Sequence, residues 1–152
     1  VIGGAVATIA LLFGVLGQYF GGELGERFRR ERLIVPAVAF TIPPLILMSV
    51  ADGWLLLVAS SAFVFFNFMA QPTSVAMISD YASERLQGRA YGLTALTGFG
   101  LGSLAGVSGG ILADGPGVEW VFLMLAGSAL ITLMCTISIN AYIFLRGDPE
   151  AS

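Results

Sequence analysis

Residues 21–33 read GGELGERFRRERL and form the densest charge cluster of the chain. Four arginines and three glutamates fall within these thirteen residues, whereas only 11% of all 152 residues are charged and 57% are hydrophobic. A soluble domain usually carries about 25% charged residues. The cluster therefore interrupts a chain whose composition, with a mean hydropathy of +0.88, is typical of a protein surrounded by lipid.

Five apolar stretches flank this cluster or follow it, and each is about as long as a helix that crosses a bilayer, which takes about 20 residues. They cover residues 1–20, 33–50, 54–79, 90–113 and 120–145, and none contains Asp, Glu, Lys or Arg. The connections between them are short. The sequence therefore predicts an all-α, polytopic transmembrane helix bundle with five spans.

The arginines lie on alternate sides of these spans. Four lie in the first connection, Arg85 and Arg89 lie in the third, and Arg146 follows the last span. Because cytoplasmic loops are enriched in arginine and lysine, this pattern predicts a multi-pass protein of the cell membrane whose amino end lies outside. Residues 146–152 then form a cytoplasmic tail. A soluble protein with buried helices would show no such alternation.

Composition also argues against several classes of function. The net charge is -3 and lysine is absent, so no nucleic-acid partner is expected. With one cysteine and no histidine, no metal site and no cofactor are predicted. An intramembrane enzyme is not supported, because the spans contain no Asp, Glu or His to act as acid, base or ligand. The chain starts inside an apolar stretch, which indicates a fragment of a longer protein.

Polar side chains recur on one face of the third span, where Ser60, Asn67, Gln71 and Ser74 are spaced by seven, four and three residues. Two interpretations remain open. The amides can join helices by hydrogen bonds, or they can line a polar cavity that handles a solute. We favour the cavity, because Pro72 follows directly and removes a backbone hydrogen bond. The candidate cavity residues are Asn67, Gln71, Ser74, Thr94 and Thr97.

Small residues form stripes on two of the predicted helices. In the fourth span the glycines recur at every fourth position, and in the first span small residues alternate steps of four and three. Such stripes let two helix backbones approach closely in lipid, so we predict helix packing on both. The stripes are Gly98, Gly102, Gly106 and Gly110 in the fourth span, and Gly3, Ala7, Ala10, Gly14, Gly17 and Gly21 in the first.

The charged cluster resembles the signature loop of the major facilitator superfamily (MFS), in which glycine, leucine, an acid and basic residues recur at fixed spacing. Positions that match are Gly22, Leu24, Glu26, Arg27 and Arg30, whereas Arg29 and Glu31 depart from the pattern. Residues 71–92 and 114–120 are similar to later parts of the same family. The resemblance implies that residues 1–152 are a partial MFS domain, helices eight to twelve of the C-terminal half, with the N-terminal half of the same transporter missing.

This resemblance implies transport of a small-molecule substrate by alternating access, and we expect secondary active efflux of a drug or metabolite. Gly22, Glu26, Arg27 and Arg30 would form a gating loop, with Glu26 facing the positive end of a helix in the missing half. A coupling proton would bind outside these residues, since the spans carry no titrating group. The alternative is a non-transporting helical membrane scaffold or assembly subunit.

Overall fold

A computed structural model describes residues 2–146 of the chain, which form helices joined by short turns. The elements are α1 (Ile2–Arg27), α2 (Arg30–Ala39), α3 (Ile42–Met48), α4 (Gly53–Tyr81), α5 (Glu84–Asp114) and α6 (Val118–Arg146). Five segments are long and apolar enough to cross a membrane, with α2 and α3 together forming one of them. The predicted all-α bundle with five spans is confirmed.

The second span breaks into two helices at Phe40 and Thr41. Pro43 and Pro44 stand at the start of α3 and lack the N–H groups that would continue the helix from α2. Proline is tolerated in a first helical turn because that N–H has no helical partner. The Thr41 hydroxyl donates to the Val38 carbonyl at 2.7 Å, which satisfies one acceptor at the break.

Helix α4 is the centre of the bundle and contacts α1, α2 and α3, while α6 packs against α2 and α3. The buried side chains are mostly small or come from these shared faces, as with Ala37, Leu45, Ala59 and Ala126. Helix α5 packs loosely at one side of the bundle, against α6 and α4, and none of its residues is buried. Most of the α5 surface is therefore left uncovered by this chain.

The C-terminal part of the first small-residue stripe packs as predicted, because α1 runs parallel to α4 along these glycines. Gly14, Gly17 and Gly21 are buried. A Cβ built on Gly17 would overlap the carbonyl oxygen of Phe65, and one on Gly21 would overlap that of Met69. Both helices advance by four residues between these contacts. Only a residue without a side chain fits where the two backbones approach this closely.

The stripe on α5 does not pack within this chain. Gly98, Gly102, Gly106 and Gly110 are exposed, and a Cβ added to any of them would meet no atom within 4 Å. Helix α5 meets α6 through the neighbouring positions instead: the Ser108 hydroxyl lies 3.7 Å from the Met124 sulfur, and a Cβ on Gly109 would lie 3.6 Å from Val121. Helix packing on the α5 stripe therefore remains a prediction, and it would require a partner outside the described residues.

Candidate functional site

Polar side chains of three helices lie at the same depth of the bundle. Gln18 is nine residues from the end of α1, Gln71 is ten residues from the end of α4, and Thr94 is ten residues from the start of α5. At 1.5 Å per residue, each lies about 15 Å from the end of the bundle that carries residues 27–32. The three are therefore level with one another, in the part of the bundle nearer that end.

Two of these side chains meet across helices. The Gln18 amide nitrogen donates to the Gln71 amide oxygen at 3.4 Å, and both side chains are exposed on the surface of the bundle. A hydrogen bond of this length is weak, so each amide retains donor and acceptor capacity for another group. The pair therefore combines a contact between α1 and α4 with an open polar surface.

The hydroxyls of the predicted cavity residues are satisfied inside their own helices. Ser74 donates to the Ala70 carbonyl at 2.8 Å, Thr94 to that of Ala90 at 2.9 Å, and Thr97 to that of Leu93 at 2.9 Å. This bonding to the preceding turn is common for Ser and Thr in helices. The hydroxyl oxygens can still accept a hydrogen bond, so these residues can contribute polarity to a cavity wall.

At this depth of the bundle α5 lies beside α4, but hydrogen bonds do not link all of the predicted cavity residues on the two helices. The Tyr91 hydroxyl donates to the Val75 carbonyl at 3.3 Å. Because α4 and α5 are antiparallel neighbours, Thr94 lies one turn further along α5 and Gln71 one turn back along α4, which puts them level. No hydrogen bond joins Thr94 or Thr97 to Gln71 among the described residues.

Asn67 lies in a different space from the other candidates. It lines a cavity of about 320 Å³ between α2, α3, α4 and α6, together with Thr41, Ser128 and Thr132. Within the part of the chain that the structure describes, its amide makes no hydrogen bond. The single polar face predicted from the sequence therefore serves two environments, since Gln71 turns towards α1 and Asn67 towards α6.

The charged cluster ties the start of α2 to the end of α4. Arg30 Nη1 donates to both carboxylate oxygens of Asp80, at 2.6 and 2.5 Å. The Tyr81 hydroxyl donates to Glu31 Oε1 at 2.5 Å. Two successive residues of one helix thus bind two successive residues of another. We call these four residues the α2–α4 clamp.

The other residues of the predicted gating loop have different surroundings. Helix α1 continues to Arg27, whose guanidinium pairs with Glu23 one turn earlier at 2.5 Å. Such an exposed pair within one helix contributes little to stability. Glu26 is exposed and has no ion-pair partner among the described residues, and a Cβ on Gly22 would meet nothing within 4 Å. Of the four predicted loop residues, only Arg30 is held by another helix.

Comparison with known families agrees with this architecture. The model of the Major Facilitator Superfamily matches residues 2–152. The chain belongs to the Major Facilitator Superfamily. The chain is also similar to an uncharacterized MFS-type transporter, YfnC, of Bacillus subtilis (strain 168), with 30% identity over 121 residues. That alignment covers 78% of this chain but only 29% of the relative. No solved structure matches the chain.

Membership of the MFS confirms the family predicted from the residues 21–33 cluster, and agrees with the prediction that the chain is not an enzyme, because MFS proteins are transporters. Sequence reasoning nevertheless missed Gln18, Asp80 and Tyr81. Gln18 is the only side-chain amide of its predicted span, which is a signal that the sequence offered, but its level relative to Gln71 follows only from the helix ends in the structure. Asp80 directly follows an apolar span at the arginine-rich end, where an acid has basic partners nearby.

Proposed function

We propose that this chain forms one wall of the solute pathway in a membrane carrier that works by alternating access. One observation carries this proposal: three polar residues, Gln18, Gln71 and Thr94, lie at the same depth on surfaces that the chain leaves uncovered. Amides exposed to hydrocarbon are costly. A water-filled or solute-filled cavity on that side removes this cost.

The rest of the carrier is the partner that this surface fits. The chain spans 29% of the length of the relative it matches. Helix α5, which has no buried residue, lies beside the polar groups. We propose that the N-terminal half of the same transporter faces α1 and α5, and that this chain corresponds to helices eight to twelve. Any coupling proton would then bind to a group in that other part, since the predicted spans carry no Asp, Glu, Lys or Arg.

The arginine-rich end is proposed to face the cytoplasm, on the alternation of arginines between connections. Glu26 is the residue best placed for a contact with the other half, because it is exposed and unpaired among the described residues. A negative side chain there suits the positive end of a facing helix. Such a contact would hold the cytoplasmic side closed in one conformation and break in the other.

Solute transport is tested by reconstituting the intact protein in proteoliposomes and screening small metabolites and cationic drugs for efflux. We expect a transported solute whose apparent affinity changes in Gln18→Leu and Gln71→Leu, with Ile131→Ala, which alters an exposed apolar side chain of α6, as the control. A protein that folds and inserts but moves no solute across a broad screen would favour the scaffold, which packs through its uncovered glycine face.

The direction of transport is a separate part of the proposal. We favour efflux, which predicts that cells producing the intact protein tolerate higher concentrations of the solute than cells producing Gln71→Leu. Greater sensitivity in the producing cells would indicate import.

A further inference from the structure

A second cavity lies at the arginine-rich end, between α2 and α6, and the proposed solute pathway does not use it. Its volume is about 590 Å³. The polar part of its lining includes Arg29, Glu31 and Arg32 from the start of α2. The apolar part includes Val35 of α2 and Ile137 and Phe144 of α6. The cavity is thus charged at one end and hydrocarbon-like at the other.

The order of these residues along the helices matches the layers of a membrane. Arg29 and Arg32 lie at the start of the second candidate span, so in a bilayer they would lie near the headgroups. Ile137 lies nine residues before the end of α6, which is about 13 Å deeper. An interfacial layer takes roughly 6 Å on each side of the hydrocarbon core. The cavity therefore extends from the headgroup layer into the region of the acyl chains.

The charged end of the cavity suits an anion. The carboxylate of Glu31, the one acid among the lining residues, accepts a hydrogen bond from Tyr81 and lies 3.7 Å from Arg29 Nε. Arg32 is exposed and makes no ion pair with any described residue. One guanidinium, that of Arg32, is thus available beside the apolar wall.

We propose that this cavity binds an anionic phospholipid, with the headgroup phosphate at Arg32 and an acyl chain along Val35, Ile137 and Phe144. Basic pockets between transmembrane helices recognise anionic headgroups in this way. A lipid fits better than a soluble anion because a soluble phosphate would leave the apolar wall unfilled. Phe144 and Ile137 are themselves exposed, at 82% and 48%, so the wall is open to the surrounding lipid.

The test is native mass spectrometry of the intact protein in detergent, titrated with phosphatidylglycerol or phosphatidylcholine of the same chain length. We expect the wild type to bind phosphatidylglycerol preferentially. Arg32→Gln should lower that preference about fivefold, the effect of one basic side chain at an anionic surface, whereas Arg32→Lys should retain it. Arg89→Gln removes the same charge from the same end of the bundle but outside the cavity, and should change nothing.

Two further arms separate a lipid site from a site for free phosphate. Phe144→Ala should weaken binding of phosphatidylglycerol, and an excess of glycerol phosphate should not displace the bound lipid. Equal losses in Arg32→Gln and Arg89→Gln would overturn the proposal, because they would show general attraction to charge. Displacement by glycerol phosphate would also overturn it, as a soluble-anion site. Neither result depends on solute transport, so the carrier proposal is judged separately.

Discussion

The glycines of α1 and α5 both form a stripe on one helix face but have opposite surroundings. On α1, Gly17 and Gly21 lie against the backbone of α4, where any side chain would overlap a carbonyl oxygen. On α5, Gly102 and Gly106 face open space along a helix with no buried residue. A stripe of small residues therefore marks a contact completed inside this chain in one case. In the other it marks a surface that the described residues leave uncovered.

The charged cluster, residues 21–33, shows a similar contrast between groups that are paired within the chain and groups that are not. Arg30 is held by Asp80 of α4, whereas Glu26, four residues earlier, has no ion-pair partner among the described residues. Contacts completed within the chain stabilise its own helices. Groups left open are the ones able to bind in one conformation and release in another, which the proposed alternating access requires. The predictions below separate the two kinds of residue.

The largest effect is expected at the α1 stripe. Gly21→Ala forces α1 away from the Met69 carbonyl, and overpacking of this kind costs about 3 kcal/mol. We expect a sharply lowered yield and melting temperature in detergent. Gly22→Ala is the matched control, because a Cβ there meets nothing within 4 Å. Equal melting temperatures for the two variants would mean that α1 and α4 do not touch in this way.

The α5 stripe should respond differently. Gly106→Ala adds a methyl group to an open surface of this chain, so the bundle itself should tolerate it. Gly106→Leu in the intact protein should lower transport, because a larger side chain separates α5 from the neighbour proposed to cover it. Unchanged transport in both variants would place this face of α5 against lipid.

Glu26 should control conformation without controlling insertion. In the intact protein, Glu26→Gln and Arg27→Ala should insert normally and favour the conformation open to the cytoplasm, with a shift of about 1 to 3 kcal/mol, the usual size of a coupling between states. Cysteine accessibility on the cytoplasmic side measures this shift. Combining Phe28→Arg with Arg27→Ala keeps the total charge and should not restore transport. Restored transport would mean that the charge of the loop only sets the orientation of the protein in the membrane.

The α2–α4 clamp should have a smaller effect on stability. Arg30 and Asp80 are partly exposed, with side-chain exposures of 32% and 43%, and solvent-exposed ion pairs contribute about 1 kcal/mol or less. Arg30→Ala should therefore lower the melting temperature by a few degrees. The exchange Arg30→Asp with Asp80→Arg should recover part of the loss. No recovery would show that the ion pair is not what Arg30 contributes.

The smallest structural effect is expected at the amide pair. Gln71→Leu removes a single weak hydrogen bond, worth about 0.6 kcal/mol between membrane helices, so the melting temperature should hardly change. Apparent affinity for the solute should change clearly. The reverse outcome, loss of stability with unaltered kinetics, would make Gln18 and Gln71 a link between helices and remove them from the cavity.

The helical architecture could be predicted from the sequence, because the length of each apolar stretch and the positions of the arginines can be read without knowing how the helices pack. Five spans and the family could be predicted from residues such as Arg27 and Arg30 and from the uncharged stretches between the loops. Which glycine stripe is buried could not be predicted, because both are stripes of small residues on one helix face and only the neighbouring helices distinguish them. The division of one polar face between Gln71 and Asn67 also depends on packing, since the two residues lie one turn apart on α4 and meet different helices.

The central claim is that Gln18, Gln71 and Thr94 line a water-filled cavity, and thiol accessibility tests it most directly. Gln18→Cys and Thr94→Cys are made in the intact protein without other cysteines, and Cys135, which is exposed on α6, is kept alone as the comparison. We predict that a charged, membrane-impermeant thiol reagent labels both engineered cysteines at least tenfold faster than Cys135. Labelling no faster than at Cys135 would contradict the account, because it would place the polar side chains in lipid or in closed helix contacts.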